Sequence, residues 1–188
     1  LDHSPILARF PKAIWDEDAN VLVVKPAEVH EVAKWLRDDP DFRLDYLSNV
    51  TGVDYLPSEK KEKLENPDGT KEIVKTAIPG RMEVVYHFYS IEHKRGPFVL
   101  KQLLEDRESP TAASLTPVFR SAEFQEREIF DLFGVDFQGH PDLRRILMWD
   151  EFEDFPMRRD YAEPDDYEYE PTPHGEVLEK ARNRLQRS

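Results

Sequence analysis

The chain has 188 residues, 39% of them hydrophobic and 35% charged, with a formal net charge of −13. That length holds one ordinary domain plus an appendage around a modest core, and the acidic balance argues against nucleic acid and against direct docking on anionic lipid, since both need clustered Lys and Arg. The absence of cysteine excludes disulfides, thiolate-ligated zinc, cysteine-held iron–sulfur clusters and thiol catalysis within this sequence.

The start, Leu1-Asp2-His3-Ser4-Pro5, lacks the charged and apolar regions of a secretory leader, and the missing Met implies processing or an incomplete start. No apolar run reaches the length of about 18 residues that a spanning helix needs. Val21-Leu22-Val23-Val24-Lys25 reads as a short buried strand from its β-branched content. Pro26 suits the first position of a helix, and Val29, Val32, Ala33 and Leu36 follow at helical spacing. Pro40 stops that helix near Asp38-Asp39, because a residue before proline avoids helical geometry.

A strand is expected over 49–55. The stretch 57–80, with its lysines, glutamates, three prolines and two glycines, reads as a long exposed loop holding at most a frayed hairpin. Residues 82–91 form the clearest strand, and 98–104 are its antiparallel neighbour across Lys94-Arg95-Gly96-Pro97. Thr116-Pro117 reads as an N-cap and first helical residue, opening a helix that runs, with a break near Ser121, to Phe133. Gly134 is the expected left-handed stop. From Asp150 to Glu170 there are ten carboxylates against two arginines, a composition that stays extended until something binds it. A final short helix is expected over 175–187, with Val177, Leu178, Ala181 and Leu185 on one side. The expected architecture is therefore α+β: a two-layer domain over 1–148, with a mostly antiparallel sheet of about four strands covered by helices. An acidic extended arm follows over 149–188.

The densest information lies in 126–147, where charged and aromatic residues alternate and a glycine and a His-Pro pair interrupt them. As a metal site it is poor in ligands. His140 is the only local histidine, and His3, His30, His87, His93 and His174 show no paired spacing. As an acid–base site it is poorly arranged, since Glu126 and Glu128 at i and i+2 on a helix point apart. Arg127 and Asp131, at i and i+4, suggest an ordinary ion pair. No serine or threonine sits beside a histidine in a hydrolase-like arrangement. Interaction fits the composition better: Phe130, Phe133, Phe137, Leu132, Leu143, Ile146 and Leu147 beside Arg144 and Arg145 have the aromatic-plus-arginine content of interface hot spots. A metal-dependent hydrolase using His140 and nearby carboxylates is the rival from another class.

The pattern Glu126-Arg127-Glu128, Asp131-Leu132-Phe133, His140, Arg144, Ile146-Leu147 resembles the signature of the 30 kDa subunit of respiratory complex I, the C-type subunit of bacterial NADH–quinone oxidoreductase. Gly134, Gly139, Pro141 and Arg145 are similar to the family as well. The resemblance is specific over about 110–148 and weaker over 20–56 and 82–104, and 57–80 looks like an insertion. One departure is visible: where many members carry Gly-His-Pro-Leu-Arg-Lys-Asp-Tyr, this chain has Asp154-Phe155-Pro156-Met157-Arg158-Arg159-Asp160-Tyr161. The resemblance implies a non-catalytic structural subunit of the peripheral arm, with no cofactor or metal of its own. The 49 kDa subunit is its implied neighbour and the target of its C-terminal arm. FMN and iron–sulfur clusters then belong to neighbouring subunits, and NADH and quinone are substrates of the complex. Membrane association comes only through the complex, on the cytoplasmic face of a bacterial membrane or the equivalent matrix side. A subunit of a membrane-bound hydrogenase-type complex is the alternative within the family. The implied signature and partner-facing residues are Glu126, Arg127, Glu128, Asp131, Phe133, Gly134, Gly139, His140, Pro141, Arg144, Arg145, Arg158 and Arg159.

Overall fold

The computed structural model describes residues 2–65 and 71–162. In chain order the elements are α1 (Ser4–Arg9), β1 (Ile14–Asp16), β2 (Val21–Val24), α2 (Pro26–Asp38), β3 (Tyr46–Tyr55), β4 (Ser58–Glu65), β5 (Lys71–Ile78), β6 (Arg81–Ser90), β7 (Arg95–Leu104), β8 (Thr111–Ala113), α3 (Ala122–Phe133) and β9 (Asp136–Gln138). The main sheet runs β1-β2-β7-β6-β3. It has one strand more than expected, because the three-residue β1 is too short to carry a burial period. The pairings β1–β2, β7–β6 and β6–β3 are antiparallel, but β2–β7 is parallel, with Leu22 opposite Leu100 and Val24 opposite Gln102.

One face of this sheet takes both long helices. Leu22, Leu100, Tyr86 and Val50 lie in one cross-strand row, and Val24, Gln102, Val84 and Gly52 in the next. Against them pack Val29, Val32, Ala33 and Leu36 of α2 and Ile129 of α3. Gly52 is required where α3 crosses β3: a Cβ there would stand 2.9 Å from Phe133 Cδ2 and 3.0 Å from Ile129 Cγ2. Helix α2 begins as its sequence dictates, with Lys25 extended before Pro26, and it ends at an extended Asp39 before Pro40.

Several local expectations are corrected. Within 57–80, expected as an exposed loop with a frayed hairpin, β4 and β5 pair in unbroken antiparallel register from Ser58↔Ile78 to Glu65↔Lys71, a longer ladder than expected that continues the one ending at Tyr55↔Arg81. Its described side chains are exposed except for the half-buried Ile78 at its end, so no alternation of burial marked it in the sequence. The helix expected from Pro117 begins at Ala122. Residues 115–121 instead form a turn in which Val118 and Phe119 both donate to the Leu115 carbonyl, at 2.9 and 2.8 Å. Thr116 is not an N-cap; its hydroxyl donates to Glu126. Finally, β8 and β9, a short parallel pair, have no sequence signal. Gly134 does stop α3 in the left-handed region, at φ 74°.

Residues 149–162, expected as the start of an extended arm, lie folded over the C-terminal half of α3: Phe152 is buried and stacks edge-on with Trp149. The rest of that arm and the expected helix over 175–187 lie outside the described residues.

Candidate functional site

Helix α3 carries the first part of the signature, from Glu126 to Phe133, and its charged residues are mostly turned inward. Glu126 and Asp131 are fully buried, while Glu128 is exposed on the opposite side, as the i, i+2 geometry requires. Asp131 is the centre of the arrangement. Its Oδ2 accepts the backbone N–H groups of Ile146, Leu147 and Met148 at 3.0, 2.6 and 2.8 Å. Its Oδ1 accepts Arg145 Nη1 at 2.7 Å. Burial by itself would raise the Asp131 pKa, but the three N–H donors and Arg145 together outweigh it and hold the carboxyl below its ordinary range.

Arg127, expected as the helical partner of Asp131, instead donates from Nε to the Arg144 carbonyl at 3.1 Å and from Nη2 to the Arg145 carbonyl at 3.0 Å. An anion and a cation one helical turn apart therefore clasp opposite polarities of the same strap, N–H groups and carbonyls respectively. Arg145, expected on a partner-facing edge, points inward beside Asp131 and is sandwiched near Phe152 and Phe155, 5.5 Å from each ring centre. Arg144 is the exposed member of the pair and forks onto Asp142 at 3.0 Å.

Glu126 faces the other way. Its Oε2 accepts the hydroxyls of Ser114 and Thr116 at 2.6 and 3.1 Å, and Oε1 accepts the Leu115 N–H at 2.7 Å. Among the described residues no Lys or Arg forms an ion pair with it, and burial pushes its pKa up despite these three donors. Nearby, Gln102 Nε2 donates to the buried Tyr86 hydroxyl at 2.8 Å, and burial followed by the Glu126 charge drives the tyrosine pKa well up.

His140 and Pro141 make the turn expected of them. His140 Nδ1 accepts the Asp142 N–H at 3.0 Å and Nε2 lies 2.9 Å from the Glu123 carbonyl, which assigns the ring N–H to Nε2. Both nitrogens are thereby engaged with backbone, which leaves no lone pair for a metal. Among the described residues no group of three or more His, Asp or Glu is placed to hold a metal ion. Gly139 supplies a positive φ of 83° beside this turn.

The strap closes at a second point. Arg158 Nε donates to the Phe133 carbonyl at 2.8 Å and Met157 N–H to the Leu132 carbonyl at 3.0 Å, satisfying the end of α3. Arg107 forms a two-pronged pair with Asp54 (2.6 and 2.7 Å) and another with Asp160 (2.9 and 2.7 Å). Asp54 also accepts the Arg159 N–H at 2.8 Å, and this donor with Arg107 overcomes the upward push of burial and lowers its pKa. The Arg159 contact is thus through its backbone, and its side chain is exposed. Sequence reading missed Asp54 and Arg107; their partners lie 53 residues away, so no local spacing could show them.

Around this inward-turned set lies an apolar rim. Leu147 is 61% exposed, Trp149 54%, Met157 54%, and Phe124 on α3 58%. Fold and site define a mixed α+β module built to carry a folded strap and an exposed apolar rim. The same fold occurs in the trypsin-resistant fragment of Nqo5 (TM-score 0.50, 23% identity, covering 74% of this chain and 96% of that one). It occurs too in the membrane-bound sulfane sulfur reductase, an archaeal respiratory membrane complex (TM-score 0.58, 20% identity, covering 84% and 82%).

The chain belongs to the family of the respiratory-chain NADH dehydrogenase 30 kDa subunit, whose model matches residues 22–167. It is 36% identical over 165 residues to a C-type subunit of NADH-quinone oxidoreductase from Rhizobium etli, covering 86% of this chain and 76% of that protein. To the C-type subunit of the same enzyme from a Roseiflexus species it is 37% identical over 169 residues, covering 85% and 84%.

Proposed function

We propose that this chain is a structural subunit in the peripheral arm of an NADH–quinone oxidoreductase, supporting electron transfer from NADH to quinone that its neighbours in the complex carry out. FMN and iron–sulfur clusters sit in those neighbours, the 49 kDa subunit is a direct partner, and the chain reaches the membrane only through the complex. That puts it on the cytoplasmic face of a bacterial membrane or the matrix side. Its similarity to the C-type subunits of NADH-quinone oxidoreductases supports this reading.

The observation that carries the structural role is the division of labour across the signature. Glu126, Arg127, Asp131, His140 and Arg145 are occupied by contacts within the chain. Leu147, Trp149 and Met157 are left outside together with Arg144. Apolar side chains grouped on one strap mark an interaction surface, and Trp and Arg are the residue types that dominate such surfaces.

The test is the tagged double variant Leu147→Glu/Trp149→Glu. Both positions are exposed, and Trp149→Glu also removes an edge-on contact with Phe152, so the isolated fold should lose about 1–2 kcal/mol and stay folded. Recovery of the assembled complex and the NADH–quinone activity of membranes should both collapse. Full recovery of active complex with the double variant would sink the proposal, and copurification with hydrogenase subunits in place of an NADH-oxidising module would reassign the chain within its family.

A further inference from the structure

A notch of about 300 Å3 opens between the β1–β2 turn and the N-terminal half of β7, away from the strap. It lies where β7 has no neighbour on one side, because the β2 ladder starts only at Leu22↔Leu100. His3, Trp15, Asn20 and Arg95 line it. Three of their nitrogens, His3 Nδ1, Trp15 Nε1 and Arg95 Nε, are buried and have no hydrogen-bond partner among the described residues. A buried donor left unpaired is costly and uncommon, and here three such atoms belong to residues that line one cavity. Two of them, the indole and guanidinium N–H groups, can only donate. What the described residues lack there is an acceptor.

The charge balance says which acceptor. Arg95 Nη2 donates to the carbonyls of Asp41 and Phe42, which are neutral. Among the described residues no carboxylate forms an ion pair with it, although the chain as a whole is acidic. A half-buried guanidinium held only by backbone carbonyls, with its Nε–H unpaired, favours a negatively charged oxygen over water, because a charge-assisted hydrogen bond is about twice as strong as a neutral one. The His3 ring stacks on Trp15 with ring centres 3.5 Å apart and planes at 14°. No hydrogen bond among the described residues holds that ring, so it can move aside to admit a ligand and add a third nitrogen to it.

We propose that this notch binds a single small oxyanion, of carboxylate or phosphate type, between Arg95 Nε–H and Trp15 Nε1–H with the His3 ring closing over it. The cavity is large enough for one such group and too small for a nucleotide.

The test uses the full 188-residue chain labelled with 15N. The indole N–H signal of Trp15 is identified by its loss in Trp15→Phe, and the Nε–H signal of Arg95 by its loss in Arg95→Lys. Titration with inorganic phosphate and, separately, acetate, at ionic strength fixed with chloride, should move both signals along saturating curves, with a dissociation constant on the order of 1 mM. The indole signals of Trp35 and Trp149 should stay put. Saturation by phosphate alone assigns the site to phosphate-type oxyanions, and by acetate alone to carboxylates. Arg95→Gln should weaken binding about tenfold or more, read at the Trp15 indole. Arg95 also holds the 41–42 turn, so Trp15→Phe is the second arm: it keeps the aromatic packing and should weaken binding several-fold, read at the Arg95 Nε–H. Shifts that stay linear in both anions, or affinities unchanged in both variants, would overturn the proposal.

Discussion

Replacing Asp131 by Asn tests the central clasp with almost no change of shape. The carboxylate accepts four hydrogen bonds from two sides, three backbone N–H groups on Oδ2 and Arg145 on Oδ1. An amide has one oxygen. If that oxygen faces Ile146, Leu147 and Met148, the amide NH2 confronts the Arg145 guanidinium; if it faces Arg145, three N–H groups lose their acceptor. Either orientation leaves buried donors facing donors, and removing one partner of a buried ion pair costs about 3–5 kcal/mol. The expected loss at neutral pH is about 3–4 kcal/mol, which at roughly 2 kcal/mol per molar urea moves the unfolding midpoint down by roughly 1.5–2 M. The sign with pH follows from the lowered Asp131 pKa. The carboxylate's contribution is complete above the unfolded value of about 4 and is lost as pH falls through the folded one. Urea unfolding followed by circular dichroism at about pH 7, 5 and 3.5 should therefore show the gap between wild type and Asp131→Asn shrinking toward acid. A gap under about 1 kcal/mol at neutral pH, or one that does not change with pH, would refute the reasoning.

Glu126→Gln should behave in the opposite manner. Burial raises the Glu126 pKa, so its favourable protonated state is available below the unfolded value and is lost as pH rises through the folded one. Gln can donate to the Ser114 and Thr116 oxygens and accept from Leu115, so urea titrations should find the variant as stable as wild type or better at neutral pH, the difference vanishing below about pH 4. Gly134→Ala combines a left-handed backbone, worth about 1–2 kcal/mol, with a Cβ 2.5 Å from the Phe155 ring. Limited proteolysis should cut it faster than wild type between 149 and 162. Arg107→Met leaves the buried Asp54 carboxylate with the Arg159 N–H alone among its strong donors and should cost about 3–5 kcal/mol in urea unfolding. Cleavage of its 158–162 segment should rise more than that of α2.

Elements whose pattern is local were readable in the sequence. Helix α2 shows four buried residues at helical spacing behind a proline, and β6 and β7 show strong strand character around a short connection. The signature likewise named the region where the strap is fastened. What it hid was direction. Asp131 and Arg127 look like each other's partners on a helical wheel, yet both are satisfied by the backbone of 144–148, which no periodicity predicts. Arg144 and Arg145 are adjacent and chemically identical, but one is outside on Asp142 and the other inside on Asp131. The Asp54–Arg107–Asp160 set joins three distant segments. The hairpin β4–β5 was only faintly legible for a different reason: with nearly all of its described side chains exposed there is little inside to alternate with.

The parallel contact between β2 and β7 has a consequence for how the chain is made. Val24 meets Gln102, so about 78 residues must follow β2 out of the ribosome before its ladder partner exists. At synthesis rates of about 5–20 residues per second, that is a delay of roughly 4–16 s. During it the β1–β2 pair can close by itself, but the other edge of β2 and the apolar face of α2 have nothing to rest on. β3, β6 and β7 can zip as consecutive neighbours once each emerges. The sheet is therefore completed by insertion of an early strand beside a late one, a long-range pairing of the kind that forms slowly.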